Sequence, residues 1–440
     1  MSEQDLPLRL KLDTVIIGGG IAGLWLANRL KRAGFSLALF EHKALGSDQT
    51  IASQGMIHGG MKYTLSGALT GASETIADMP QHWRSCLCGE GDVNLRNTRI
   101  LSDHFFLWSG ESLTAKLASF LASKAIRGRV DSVPDEKRPP LFRHAGFNGN
   151  LYKLSDIVLD VHSLVTNLAQ NIEGHTFLID WAQTQLRKDN EGNVMLAFIQ
   201  QGREVILEAQ RFIFTAGKGN AEMLANLQLN SPAMQLRPLQ QVMVKHRNPY
   251  VFFGHCMGVE TTPRLTISTH LLSEHERVWY LGGSLAEKGA GMEPEQLIAE
   301  AQQELKQLLP WVDISEAEWA TLPIARAEAL QPQFKRPDNA FISAADENCR
   351  NLLVAWPTKL TLAPNLANQA LELMQASKLV PGNTEQGAAA LAQLQQWLSA
   401  PEIAPTPWEE AFPPAINAEE RLTQKFAAEQ RAAEERGGQY

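Results

Sequence analysis

Residues 13–41 read DTVIIGGGIAGLWLANRLKRAGFSLALFE, and this stretch decides the fold. Val15, Ile16 and Ile17 form a continuous apolar run, as expected for a parallel strand covered on both faces. Gly18, Gly20 and Gly23 follow at G-x-G-x-x-G spacing. The pattern then predicts a helix, with Leu24, Leu26, Ala27 and Leu30 on its apolar side and Arg29, Lys31 and Arg32 opposite. Gly34 ends the helix, and SLALFE is the returning strand. In such a unit the first glycine permits a tight turn and the second lets a pyrophosphate approach the main chain. The third lets helix and strand pack closely. The N–H groups of Ile21 and Ala22 then face the phosphates, together with the positive end of the helix dipole.

Glu41 closes the second strand about twenty residues further on, where a carboxylate accepts hydrogen bonds from an adenosine ribose. His42 follows it at the same edge. A carboxylate there disfavours a 2′-phosphate and so argues against NADP. The glycine turn by itself suits FAD and NAD equally.

The next segment separates the two. Thr50 to Tyr63 reads TIASQGMIHGGMKY and has neither helical nor strand period. An NAD dehydrogenase would more often continue into another regular repeat. A flavin has to thread its ribityl chain and ring past the main chain here. This segment offers hydroxyls at Thr50 and Ser53, an amide at Gln54 and a close backbone approach at Gly55. FAD is the expected cofactor.

The chain has 440 residues, 44% of them hydrophobic, enough for a sizeable core in two domains. A net charge of −8 argues against a nucleic-acid partner. Four cysteines in this length are no disulfide framework, so a reducing compartment is expected. Cys86 and Cys88 form a lone C-x-C without partners at metal-ligand spacing, so no metal centre is expected. MSEQDLPLRLKLD lacks the apolar core of a signal peptide. No run reaches the roughly 18 apolar residues of a membrane span. These features point to a cytoplasmic protein without a transmembrane segment, with attachment to the inner membrane face left open.

Further along, SLTAKLASFLASKA (112–125) has an amphipathic helical pattern, and Asp160 is a good N-cap for a helix over 160–172. Strand-like runs follow, with DNEGN as a hairpin turn and RFIFTAGKGN (211–220) as a second strand-plus-glycine element. Residues 351–372, NLLVAWPTKLTLAPNLANQALE, read as strand, turn and helix.

Together, the N-terminal unit and ASQGMIHGGMKY resemble the FAD-dependent D-amino-acid oxidase superfamily. That group includes glycine oxidase, sarcosine oxidase, glycerol-3-phosphate dehydrogenase and L-2-hydroxyglutarate oxidase, and MIHGGMKY is most similar to the last two. LDVHSLVTNLAQNI, RFIFTAGKGN and the 351–372 segment resemble later family elements in the right order. The resemblance implies an α/β fold with α+β character in its second domain: a Rossmann-like FAD-binding domain interleaved with a β-sheet-based substrate domain. The expected partition is 12–95, 155–235 and 345–385 for FAD, and 96–154 and 236–344 for substrate. Residues 386–440 are expected to be a proline-rich linker and a charged tail.

It also implies oxidation of a small 2-hydroxy acid, polyol phosphate or amino acid by hydride transfer to flavin N5, with oxygen, a quinone or a protein as electron acceptor. A same-fold flavoenzyme acting on a larger or carrier-bound substrate, and a flavin-binding protein without turnover, stand as alternatives. Thr215, Ala216 and Gly217 are placed near the dinucleotide, and His58 beside the flavin ring. Arg326, in TLPIARAEALQPQF, is placed where relatives hold a substrate carboxylate, although the usual arginine-proline pair is missing here. Relatives also carry a glycine-rich turn before the last helix, which here is WPTKLTLAP. Lys359 and the N–H groups of Leu360 and Thr361 are the expected substitutes, facing flavin N1 and the C2 carbonyl.

Overall fold

A computed structural model of the chain describes residues 6–59, 76–110, 130–258, 262–334, 337, 339–346 and 348–413. The helix expected over 112–125 and the end of the tail, 414–440, lie outside the described residues.

The first sheet grows from the opening unit. β1 (Leu8–Ile17) leads through the glycine turn into α1 (Ile21–Arg32) and back through β2 (Leu37–Glu41). β1 starts at Leu8, seven residues before the apolar run that begins at Val15. Arg9 and Lys11 alternate with Leu10 and Leu12 there, and that half pairs with Val205–Ala209. The parallel core runs Leu352–Trp356, Arg203–Phe214, β1, β2, Thr176–Leu178. Leu24, Trp25, Leu26 and Ala27 of α1 are fully buried against the sheet and the helices Val161–Asn171 and Ala363–Ala376. The opposite face is covered by Gly219–Asn226 and Thr384–Trp397.

Strand Arg203–Phe214 forks. Its first half pairs with the antiparallel hairpin Thr184–Lys188/Val194–Gln200, and its last three residues pair with Leu352–Val354. Asn351 fills the fork: its amide donates to the carbonyls of Val194 and Ala209 and its oxygen accepts from the Val194 N–H.

The second sheet has eight strands in the order Glu318–Ala329, Met234–His246, Arg277–Gly282, Leu265–Leu271, Gly254–Cys256, Phe105–Ser109, Asn150–Leu154, Val130–Ser132. Side-chain alternation divides its faces. Val242, Val244, Trp279, Leu281, Leu265 and Ile267 pack under the helix Pro294–Leu308. Met243, Val278 and Tyr280 point the other way and meet Trp408 and Phe412.

Two expectations are corrected. Strand Phe341–Ala344, assigned by sequence to the substrate side, pairs with Leu353–Trp356 in the first sheet. Residues 386–413 are not a linker. Helix Thr384–Trp397 buries Ala390 and Leu394 against β1, and Ala404, Trp408 and Phe412 are at most 7% exposed. The prolines misled the reading, because they start and flank short packed elements instead of spacing out a solvated chain.

Candidate functional site

The two sheets face one another across a cleft of about 700 Å³. All but one of the sequence-derived site residues line it: Gly18, Gly20, Ile21, Ala22, Glu41, His42, Thr50, Ser53, Gln54, Gly55, His58, Thr215, Ala216, Gly217, Arg326, Lys359, Leu360 and Thr361. The exception is Gly23. A Cβ there would stand 2.0 Å from the Gly18 carbonyl oxygen, so Gly23 is needed for helix-to-turn packing and contributes no wall.

At the glycine turn, Gly18 has φ +114°, and a side chain on it would meet the Ala216 backbone at 2.5 Å. α1 begins at the cleft with no acidic residue in its first turn and no side-chain cap from Gly20. The Ile21 N–H donates to Thr50 Oγ1 at 3.0 Å. Glu41, 6% exposed, accepts from the N–H groups of Gly19 (2.7 Å), His42 (2.8 Å) and Lys43 (2.9 Å). Its carboxylate is thereby fixed at the strand edge while still facing the cleft. Thr215 Oγ1 donates back to the Gly18 carbonyl at 2.9 Å, which ties the second glycine element to the first.

The loop after β2 serves both sheets. Gly55 has φ +70° and lies so close to strand Ile157–Leu159 that a Cβ would stand 2.0 Å from the Leu159 carbonyl oxygen. Packing against that strand therefore requires this glycine irrespective of any ligand. Gln54 donates to the Tyr280 carbonyl at 2.8 Å, and the Tyr280 hydroxyl donates to the Ala52 carbonyl at 3.0 Å, joining this loop to the second sheet. The His58 N–H donates to Thr361 Oγ1 at 3.2 Å, and the Thr361 carbonyl accepts from Trp83 Nε1 at 3.1 Å. In the turn before Leu360, Thr358 has φ +60°. A β-branched residue there is a genuine backbone outlier, of the kind that clusters at ligand clamps.

Three aromatic rings meet at the far end. His58 stacks on His255 at 5.5 Å between centroids, and Phe105 meets both edge-on at 5.4 and 5.1 Å. His255 Nδ1 lies 2.8 Å from Thr266 Oγ1. Arg326 is half-buried, with its guanidinium 3.3 Å from Glu287 Oε1 and its Nε donating to the Arg237 carbonyl. The acid next in sequence, Glu328, pairs with Arg237.

The cleft wall also holds residues that no sequence motif picked out: His255, Thr266, Gln241 and Glu287, as well as Ala404, Pro405, Pro407 and Glu410. FGHCMG showed only that a histidine sat among small and apolar residues. Nothing local signalled that it faces His58.

Elsewhere, His82, Cys86 and Asp92 bring ligand atoms within 4.8 Å of one another. Arg29 Nη1 lies 3.0 Å from the same aspartate and already supplies the compensating positive charge. Burial pushes the Cys86 thiol up to about 12, and it lies 3.2 Å from Asp92 Oδ1. This is a neutralised packing knot beneath Trp25 and Trp83.

The cleft suits FAD on its own terms. It has glycines where a Cβ would collide, a helix start without acids, a buried carboxylate at the strand edge, and a long wall running from that carboxylate to two imidazoles. Comparison with known proteins agrees. A family model described as "FAD dependent oxidoreductase" matches residues 13–367. The chain is 45% identical over 408 residues to the probable FAD-dependent oxidoreductase PA4991 of Pseudomonas aeruginosa, covering 92% of this chain and all of that one. The crystal structure of PA4991 superposes with a TM-score of 0.76, at 38% identity and the same coverage. Glycine oxidase from Geobacillus kaustophilus (TM-score 0.60, 16% identity, 85% and 96% covered) shares the fold. So does FAD-bound L-α-glycerophosphate oxidase from Mycoplasma pneumoniae (0.61, 15%, 86% and 98%). No helix among the described residues is long and apolar enough to cross a membrane.

Proposed function

The chain belongs to the FAD dependent oxidoreductase family, and from that premise we propose that it oxidises a small 2-hydroxy acid at the C2–H bond. The observation that supports this most is that a guanidinium, Arg326, and two stacked imidazoles, His58 and His255, line the cleft that also holds the glycine turn. We assign the first sheet to the cofactor and the second to the substrate.

Arg326 is the anchor for the substrate carboxylate, since its planar fork matches two carboxylate oxygens. His58 takes the hydroxyl proton, because imidazole titrates near neutral pH. His255, held at Nδ1 by Thr266, fixes the plane of His58. Lys359 and the N–H groups of Leu360 and Thr361 place positive potential on the cleft wall next to His58. Glu41, the start of α1 and residues 215–217 would hold the dinucleotide. Bound FAD supplies the hydride acceptor.

A second reading, an amino-acid substrate, is favoured by Glu287. Its carboxylate contacts Arg326 and could receive a substrate ammonium. The test is anaerobic mixing of holoenzyme with 2-hydroxy acids, their amino-acid counterparts and polyol phosphates, followed at the flavin absorbance. Bleaching by a 2-hydroxy acid supports the first reading and bleaching by an amino acid the second. Failure of every carboxylate where dithionite bleaches fully would sink both. Reoxidation by oxygen, a quinone or a protein fraction then identifies the acceptor class.

A further inference from the structure

We infer that Glu402–Phe412 is a strap that retains FAD, contributing a cleft wall from beyond the region the family model matches. The matched region ends at residue 367. Ala404, Pro405, Pro407 and Glu410 nevertheless line the same cleft as Gly18, Glu41 and Lys359. This inference concerns cofactor retention and is independent of which substrate is oxidised.

The strap is fastened at both ends, to different halves of the molecule. At one end it pairs with the loop that follows β2. The Leu45 N–H donates to the Glu402 carbonyl at 2.7 Å, and the Ala404 N–H donates to the Leu45 carbonyl at 3.0 Å. That loop in turn lies on the glycine turn, through the Gly46 N–H to the Gly19 carbonyl at 2.8 Å. At the other end Trp408 stacks on His270 of the second sheet, 3.8 Å between centroids and 18° from parallel. Phe412 joins Met243, Val278 and Tyr280 beside it.

Between the two ends the chain is stiff. Pro405 and Pro407 limit its dihedral freedom. A capping box also joins Thr406 and Glu409, with Glu409 Oε2 accepting from the Thr406 N–H at 2.9 Å and the Glu409 N–H donating to Thr406 Oγ1 at 3.3 Å. A stiff segment pinned to both sheets holds the cleft at fixed width along the wall nearest the glycine turn. A bound dinucleotide can leave past it only after one fastening opens. The Trp408 end is held by side chains, through stacking on His270, packing on Met243, Val278 and Tyr280, and Lys245 over the Phe412 ring, whereas the Leu45 end is held by a backbone ladder.

Two measurements test this. In the unaltered protein, amide exchange over residues 402–412 should slow at least tenfold when FAD is added to the apoprotein. In holoprotein, Trp408→Ser should speed FAD release on dilution at least tenfold. Trp311→Ser serves as the control, because Trp311 packs on the helix-covered face and bonds to the Leu141 carbonyl, away from the cleft. Equal exchange with and without FAD overturns the inference. So does release from Trp408→Ser that matches release from Trp311→Ser. Should Trp408→Ser fail to accumulate, the exchange measurement on the parent protein decides alone.

Discussion

His58 and His255 lie face to face, their ring centroids 5.5 Å apart and their planes 29° from parallel. One belongs to the loop after β2 and the other to the second sheet, so the pair exists only where the two halves of the molecule meet. His58→Asn should slow flavin reduction by the best substrate on the order of 100-fold, the usual weight of a positioned proton acceptor. His255→Asn should slow it less and move the pH dependence of the step. Stopped-flow reduction between pH 6 and 10 reads both; an unchanged rate in His58→Asn removes it from proton transfer.

Arg326 and Glu287 make a reciprocal prediction. Arg326→Lys loses the bidentate fork and should raise KM for a carboxylate substrate at least tenfold, with a smaller change in kcat. Glu287→Gln removes the competing carboxylate, which should lower KM for a hydroxy acid and raise it for an amino acid. Steady-state constants on matched substrate pairs measure this. A parallel shift for both substrates would place Glu287 outside recognition.

Glu41 accepts three backbone N–H groups and still faces the cleft. Glu41→Gln keeps its shape but replaces a charge-assisted acceptor by a neutral amide. FAD affinity should fall roughly 10- to 100-fold, about 1.5–3 kcal/mol. Fluorescence titration of apoprotein with FAD gives the number, and a change under threefold contradicts a role in cofactor binding.

Acid should loosen the molecule through His270. Burial among Ser268, Tyr280 and Trp408 lowers its pKa to about 3, against roughly 6.5 in an unfolded chain. The folded state keeps the ring neutral while the unfolded state protonates. Stability is therefore complete above pH 6.5 and declines as pH falls toward 3. The single group costs about 2 kcal/mol at pH 5. His246, lowered to about 4 by burial and by Arg277, adds in the same direction. Melting temperature measured from pH 7.5 to 4.5 should fall, and His270→Phe should flatten part of that slope. An identical slope in that variant would assign the acid sensitivity elsewhere.

The opening unit of the first sheet was legible because its signals are local. The strand, glycine turn, helix and Glu41 fall within thirty consecutive residues, where backbone sterics and the helix dipole leave few alternatives. Asp160 likewise announced its helix, and its carboxylate accepts from the Ser163 N–H at 2.7 Å. What stayed hidden depends on distant chain meeting in space. His255 gained meaning only through His58, Glu287 through Arg326, and Trp408 through His270. At Gly55 the sequence did not reveal the further constraint that comes from Leu159. The family relation explains the order of the elements, while the segment past residue 367 had only its prolines to speak for it, and those pointed away from packing.

The walls of the cleft are drawn from residues near 20, 50, 215, 240, 285, 325, 360 and 405. During synthesis on the ribosome, the earliest of these segments must wait for nearly the whole polypeptide to emerge before its final neighbour arrives. The glycine turn and Glu41 emerge early, yet the enclosure around them is completed last. A premature stop before codon 400 would remove the wall formed by Ala404, Pro405, Pro407 and Glu410 and leave the cleft open along that side.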